Sequence, residues 1–548
     1  MAVRVRTRLP CNVVLAIQEL QDLIRSYLDF PSLKTSSCVC RYWNSIFVPY
    51  VWRRLTLHDR KQPTTTIISR RNGPFIQKLT LRFLTKTLLT SIAQFCPNVT
   101  FLRLRLDHHS SRVQYPILNT FFSRMHTSLT SLYIHFDASL YPLSLLWGIS
   151  NLTNLIRLDF DVFYSNYYDT KHHSPELYMS ILQCCPALQI FIGYGSFLEQ
   201  SKRSTIYNKD SRLVRLKRTI FPRALGLPLH PPVVHMPHEY NLRYLHVRST
   251  SIDVPTFHKI LAQCPLLERL SIDHGYWNIA TETWMILATH CPLLRDIQVW
   301  NGDLVNGLRL PDSTALLYLF PKLETLCLNI VQFPEMIDPS NLKGCRQRYE
   351  IIHGLQAPPL LKSLTITGPN KRAFIILLYA LTAFPELECL TVGSTHTFHT
   401  TFTQDLLPSS PGHLYDFTAP WACQESLAWL DVASISFPNE AILRQFFGLV
   451  GSLPRLTTFY VAISHLRTLM VNTTSSMSIT LPTVTTLRVS PWLSESGVVV
   501  EAPLRREEVF VVINSFPRLK KMTLLSGSEL DLVNQLSTTF PFIDFATW

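Results

Sequence analysis

Glycine is scarce, at 17 of 548 residues. Phosphate-cradling loops need several glycines in a short run, and neither Gly-x-Gly-x-x-Gly nor a phosphate-loop pattern occurs. Zinc-type spacing is also missing. There is no Cys-x-x-Cys and no His-Glu-x-x-His; Cys38-x-Cys40 and Cys184-Cys185 have no second pair at ligand spacing. The adjacent pairs His108-His109 and His172-His173 would point to opposite faces of a strand, which is a poor two-ligand geometry. The expectation is no catalytic residue, no cofactor and no metal, and hence not an enzyme. Long apolar runs are absent too. The longest, near residues 373–384, spans about 12 residues against the roughly 20 of a membrane helix, so no membrane contact is expected.

Charge is thin, at 16% of residues, and unbalanced, with a net +13. No run of five or six basic residues occurs. The densest stretch is Lys202, Arg203, Lys209, Arg212, Arg215, Lys217, Arg218 and Arg223. A mildly basic surface fits this better than a nucleic-acid site, and nucleic acid is disfavoured as a partner. The twelve cysteines are dispersed, and Cys96, Cys185, Cys264 and Cys291 each precede a proline. That reads as reduced, buried thiols in an intracellular protein, cytoplasmic or nuclear. The opening MAVRVRTRLP, with Arg4, Arg6 and Arg8 and no acid before Glu19, has the look of a mitochondrial presequence, but the text after it reads as a folded module.

What the chain has in abundance is an approximate repeat. CPLLERLSID (264–273), CPLLRDIQVW (291–300), FPKLETLCLN (320–329), FPELECLTVG (384–393) and FPRLKKMTLL (516–525) share one form: apolar, Pro, x, Leu, x, x, Leu, x, Leu. Helical text such as FHKILAQ or WMILATH precedes it. The first apolar anchor recurs at Ile76, Val99, Leu129, Leu155, Leu188, Leu242, Leu267, Leu294, Leu323, Leu361, Leu387, Leu427, Leu456, Val484 and Leu519, mostly roughly 23 to 40 residues apart. Period-two alternation after each anchor predicts a short strand. These copies resemble the leucine-rich-repeat family in its Cys-Pro or Phe-Pro variant. Hydrophobic content of 47% suits stacked apolar faces.

Ahead of the array, Leu20, Leu23, Ile24 and Tyr27-Leu28 fall at helical spacing. Pro31 interrupts, and Leu33, Val39, Trp43 and Ile46-Phe47 supply further helical faces. Glu19-Leu20, Ile24, Tyr27-Leu28-Asp29, Pro31, Leu33, Val39-Cys40-Arg41, Trp43 and Trp52 followed by Arg53-Arg54-Leu55 resemble the F-box family in their order. The family's Leu-Pro before Glu is replaced here by Ile17-Gln18, and the Trp43 to Trp52 interval is about one residue short.

The expected fold is α/β: a short helical F-box at 9–57, a linker at 58–74, and a leucine-rich-repeat solenoid at 75–548. The solenoid would be a horseshoe with parallel strands on its concave face, with insertions at about 196–238 and 395–422. The F-box resemblance implies a Skp-type adaptor, and through it a cullin-RING ubiquitin ligase, with an unidentified protein substrate held on the repeats. The adaptor contact would fall among Leu20, Ile24, Leu28, Pro31, Leu33, Val39, Cys40, Trp43 and Trp52, some of which must fill the module's own core. Substrate-facing candidates lie between the strand leucines: Phe101, Arg103, Arg105, Arg157, Asp159, Tyr244, His246, Arg248, Arg269, Asp273, Asp296 and Trp300. Two alternatives remain at this stage: an interaction scaffold that meets no ligase, and a basic RNA-binding horseshoe.

Overall fold

The structure is a computed structural model. It describes residues 18–58, 68–106, 115–137, 148–163, 176–196, 239–248, 254–273, 281–300, 320, 322–329, 360–367, 377, 380–381, 384–393, 421–435, 437, 439–471, 480–490, 504–524 and 530–547. The chain divides into two compact units, 1–244 with 251–256, and 245–250 with 257–548.

The described part of the first unit opens with three helices: α1 (Gln18–Tyr27), α2 (Phe30–Ser37) and α3 (Arg41–Trp52). Asp29 caps α2 by accepting from the Ser32 N–H at 2.9 Å, and Pro31 occupies the first turn, where no N–H is needed. Hydrogen bonding from the Ser32 side chain and backbone holds the Asp29 carboxyl below its ordinary pKa. Cys40 caps α3, its Sγ accepting from the Trp43 N–H at 3.4 Å. Leu33, Ile46 and Phe47 form the small core, with Ile24, Leu28, Trp43, Tyr50 and Val51 packed around it.

The sheet begins two residues after α3. Strand β1 (Arg54–Leu57) pairs in parallel with β2 (Lys78–Leu81), so residues 54–57, expected as the tail of the helical module, are already the first rung of the solenoid. Then follow α4 (Lys86–Phe95), β3 (Phe101–Leu106), α5 (Tyr115–Met125), β4 (Ser131–Asp137), β5 (Arg157–Phe163), α6 (Glu176–Cys184) and β6 (Ile190–Ser196). From β1 to β6 each strand pairs in parallel with the next.

Strand β7 (Tyr244–Arg248) and helix α7 (Val254–Leu261) fall at the division between the units. The second unit continues with β8 (Arg269–Asp273), α8 (Thr281–His290), β9 (Asp296–Trp300), β10 (Thr325–Asn329), β11 (Ser363–Thr367), β12 (Cys389–Gly393) and β13 (Trp429–Asp431). It ends with α9 (Glu440–Gly451), β14 (Thr458–Ala462), α10 (Ile463–Val471), β15 (Thr486–Ser490), α11 (Arg506–Ser515), β16 (Lys521–Leu524), α12 (Leu530–Thr539) and β17 (Asp544–Thr547). Strands β8 to β17 also pair in parallel, each with its successor. Each unit is thus built as a leucine-rich-repeat solenoid.

All fifteen anchors expected from the repeat are buried, none more than 4% exposed, and each stands two residues before its strand or close to it. The corner chemistry explains the regularity. Two successive N–H groups donate to one carbonyl of the preceding repeat: Gln77 and Lys78 to Arg53, Thr100 and Phe101 to Gln77, Thr130 and Ser131 to Thr100. This satisfies backbone groups where the chain turns from helix to strand. The Cys of Cys-Pro fills a small apolar gap at the same corner. Cys185 and Cys291 direct their thiols at Ile149 O (3.8 Å) and Leu261 O (3.6 Å) of the preceding repeat. Burial pushes both thiols up to about 12.

Gly73 shows how closely the first turns fit. A Cβ there would meet the backbone of Phe95, 2.7 Å from its carbonyl carbon and closer still to its oxygen. Backbone yields less readily than a side-chain tip. Gly73→Ala is expected to destabilise the first unit by about 1–3 kcal/mol, read as a shift in its urea midpoint at constant slope. An unchanged midpoint would show that the turn relaxes freely.

His465 on α10 is buried, its ring edge-on to Phe437 at 5.0 Å. Desolvation lowers its pKa to about 4, with a backbone hydrogen bond at Ile435 opposing that shift. Above the unfolded pKa of 6.5 both states are neutral and the full stability is present. Between 6.5 and about 4 only the unfolded chain takes up the proton, so stability falls with pH. The second unit should lose about 2 kcal/mol between pH 7.5 and 5 from this group. His465→Leu should remove that part of the slope in urea titrations at each pH.

Candidate interaction surfaces

Two surfaces emerge, the outside of the helical module and the sheet face turned away from the helices. On the module the structure separates core from surface, which spacing alone does not do. Of the nine residues expected at an adaptor contact, Leu33 is in the core, and Ile24, Leu28 and Trp43 are packed against it. Leu20 and Trp52 are half-buried. Pro31, Val39 and Cys40 are exposed, Val39 at 61%.

Large apolar side chains outside that set of nine stand in the open as well. They are Leu23, Tyr27, Phe30 and Tyr42, with Tyr27 83% and Phe30 59% exposed. Leu23 and Tyr27 lie one turn apart on α1, and Phe30 begins α2. Val39 and Tyr42 stand beyond the far end of α2, roughly 12 Å away for a helix of this length. The module is braced internally by Tyr50 Oη donating to Asp22 Oδ1 at 3.0 Å and by Arg25 over the Tyr50 ring. So many exposed apolar side chains on three short helices are unusual unless something covers them.

On the sheet, register aligns the inter-leucine positions into rows. In the first unit one row runs Lys78, Phe101, Ser131, Arg157, Ile190, and the next runs Thr80, Arg103, Tyr133, Asp159, Ile192. Arg103 stacks over the Tyr133 ring at 4.3 Å, Arg157 grips Asp159 with two N–H donors at 3.0 Å, and His135 Nδ1 lies 2.8 Å from Asp161. Tyr133 and His135 were not among the expected residues, although the anchor rule applied at Leu129 places them beside Arg103 and Arg105.

In the second unit, His246 is not an open-face contact. It is 9% exposed, and its Nδ1 lies 2.8 Å from Ser271 Oγ. Arg269 is exposed; Tyr244, the last residue of the first unit's main segment, is half-buried. Asp296 accepts two hydrogen bonds from Gln298 at 3.1 Å, and Trp300, 44% exposed, donates to Gln298 Oε1 at 3.3 Å. Burial raises the Asp296 carboxyl pKa, opposed by Gln298 and Arg269. The side chains of Arg248 and Asp273 lie outside the described residues, as do residues 9–17, the basic stretch 202–223 and nearly all of both insertions. A further constellation was not foreseen. Trp429 and Tyr460 meet at 4.8 Å, Arg488 lies over Tyr460 at 4.9 Å, and Asp431, whose carboxyl burial raises, accepts from the Ala433 N–H at 3.1 Å.

Among the described residues no group of three or more His, Cys, Asp or Glu gathers as for a metal, and no helix is long and apolar enough to cross a membrane.

Residues 8–58 match the F-box-like family. The matched segment covers α1 to α3 and β1, so the first rung of the sheet belongs to the same sequence unit as the helices. No curated protein matches the chain. Among solved structures, one similar chain comes from the TLR13–ssRNA13 complex, with 13% identity and a TM-score of 0.35; it covers 90% of this chain and 61% of that one. Another comes from the complex of Rad7 and Elc1 in yeast, with 14% identity and a TM-score of 0.25, covering 57% of this chain and 86% of that one. At these scores neither likeness bears on function.

Proposed function

We propose that the protein is the substrate-recognition subunit of a Skp-cullin-F-box type ubiquitin ligase. The F-box-like helices would dock on a Skp-type adaptor, and the repeats would hold a protein substrate. The observation that carries this reading is the F-box-like segment itself, folded as a three-helix module with Tyr27, Phe30 and Val39 in the open. In this reading the chain supplies no reacting group. It raises the effective concentration of a substrate lysine at a conjugating enzyme held elsewhere in the assembly.

The first test is co-purification of the full chain with a Skp-type adaptor from the same organism. Stable association, with the adaptor's cullin recovered in the same complex, supports the proposal. A folded chain that fails to bind the adaptor overturns it and leaves an interaction scaffold whose helical module only caps the solenoid.

A further inference from the structure

The chain's positive charge is not spread evenly. Lys and Arg outnumber Asp and Glu more than two to one over residues 1–244, whereas acids slightly exceed bases over the rest. Within the first unit, part of this excess is laid out on the open face of three adjacent strands. Arg54 on β1 pairs in register with Lys78 on β2, and Thr80 on β2 with Arg103 on β3. Arg82 follows β2 with the same alternation, and its N–H donates to Leu57 O. Arg54, Lys78, Arg82 and Arg103 are all exposed.

No carboxylate among the described residues pairs with any of these four. Cations elsewhere on the described strands and helices do find carboxylates: Arg157 meets Asp159, Arg295 and Lys362 share Glu324, Arg444 meets Glu440, and Arg467 meets Glu508. Arg103 is held by the Tyr133 ring at 4.3 Å, which fixes the guanidinium plane and leaves its N–H edge for a ligand.

We infer that this face of β1 to β3 is a docking surface for a short acidic segment of a protein, rich in Asp and Glu and bound in extended form. Two features favour that class over a nucleic acid. The field is narrow: two strand spacings, about 10 Å, separate β1 from β3. Beyond β4 it meets Asp159 and Asp161 on β5, which a longer polyanion would have to cross. Four cations without carboxylates also fall short of the roughly 6–10 phosphate contacts of a salt-sensitive nucleic-acid site. The apolar rims, Phe101 and Tyr133, suit a peptide whose acids alternate with other residues, since same-face side chains of an extended chain repeat at about 7 Å. The surface also begins on the strand that directly follows α3, so its occupant would lie beside the helical module. Only the naming of that occupant as a ligase substrate rests on the receptor reading; the binding itself does not.

The test uses the full chain and a fluorescent twelve-residue peptide alternating Asp and Thr. An Asn-for-Asp version and a twelve-nucleotide uridine RNA serve as comparators. Anisotropy should show the Asp peptide binding at least about tenfold more tightly than the Asn peptide, with affinity falling as salt rises. Arg54→Gln, Lys78→Gln and Arg103→Gln should each weaken it severalfold, and the triple variant about a hundredfold or more, with melting unchanged. Arg295→Gln with Lys362→Gln, which removes paired cations elsewhere, should leave binding as it is. The inference is overturned by equal binding to the triple variant, by equal binding of the Asn peptide, or by no Asp-peptide binding at millimolar concentration. It is also overturned if the RNA binds more tightly and depends on the same residues. Adaptor co-purification from the same preparations keeps the two readings apart. Peptide binding without adaptor leaves the surface and removes the ligase; adaptor without peptide binding does the reverse.

Discussion

Full-length protein carrying Tyr27→Ser and Phe30→Ser is expected to lose adaptor binding by two to three orders of magnitude while melting at the wild-type temperature. The side chains are 83% and 59% exposed, so the fold gains little from them. At an interface, an aromatic anchor that becomes buried commonly contributes about 2 kcal/mol or more, and two such losses multiply to a 100- to 1,000-fold change in Kd. Phe47→Ala should also abolish binding, but for another reason. Phe47 is 1% exposed and lies against Trp43 at 5.5 Å in a core of few residues. Removing it costs about 3–5 kcal/mol, enough to unfold the module. Calorimetry separates the two: the surface pair keeps its transition and Phe47→Ala does not. Leu28 belongs with Phe47 in this respect, because it is packed on the same core. Wild-type binding by the Tyr27 and Phe30 double variant would place the adaptor contact elsewhere or remove it altogether.

Trp284→Ala should be the most damaging single change in the second unit, at about 3–5 kcal/mol. Trp284 on α8 is fully buried and edge-on to Phe320 at 6.4 Å. The two rings pack against each other between consecutive repeats. Trp284→Phe should cost far less. The indole N–H is buried with no hydrogen-bond partner among the described residues, so its removal returns part of what the smaller ring loses. Because stacked repeats couple mainly to their neighbours, the alanine variant should show a separate early transition in urea, with hydrogen exchange accelerated first around β9 and β10. A single unshifted transition would show that this packing tolerates the cavity.

The repeat text carried much of the architecture. Fifteen anchors were legible because one physical demand recurs: an apolar residue at each corner, then alternation into a strand buried on one side. Two strands escaped that rule. In β17 the anchor Ile543 stands next to its strand, so the usual spacing is shortened by one residue. In β1 the strand follows a helix that belongs by sequence to another module, and it stands ahead of Ile76, the first anchor that the repeat pattern offers.

The helices of the module, the short strands and the buried cysteines were legible in the sequence, because each depends on local periodicity and on residue size at a fixed place in the repeat; the parallel pairing followed from the leucine-rich-repeat resemblance. Tertiary structure decided which module residues are core and which are surface. Leu28 and Tyr27 are neighbours in sequence, yet Leu28 is packed against the core of Leu33, Ile46 and Phe47 while Tyr27 stands in water, because the other helices cover only one side of α1. It also decided the electrostatics of the open face. Arg157 and Arg103 are both inter-leucine arginines, but Arg157 meets Asp159 on its own strand, whereas Arg103 stacks on the Tyr133 ring of the next strand. His246 meets Ser271 because two strands bring together residues 25 positions apart. Pairings of that kind depend on strand register and lateral packing, which no local pattern encodes.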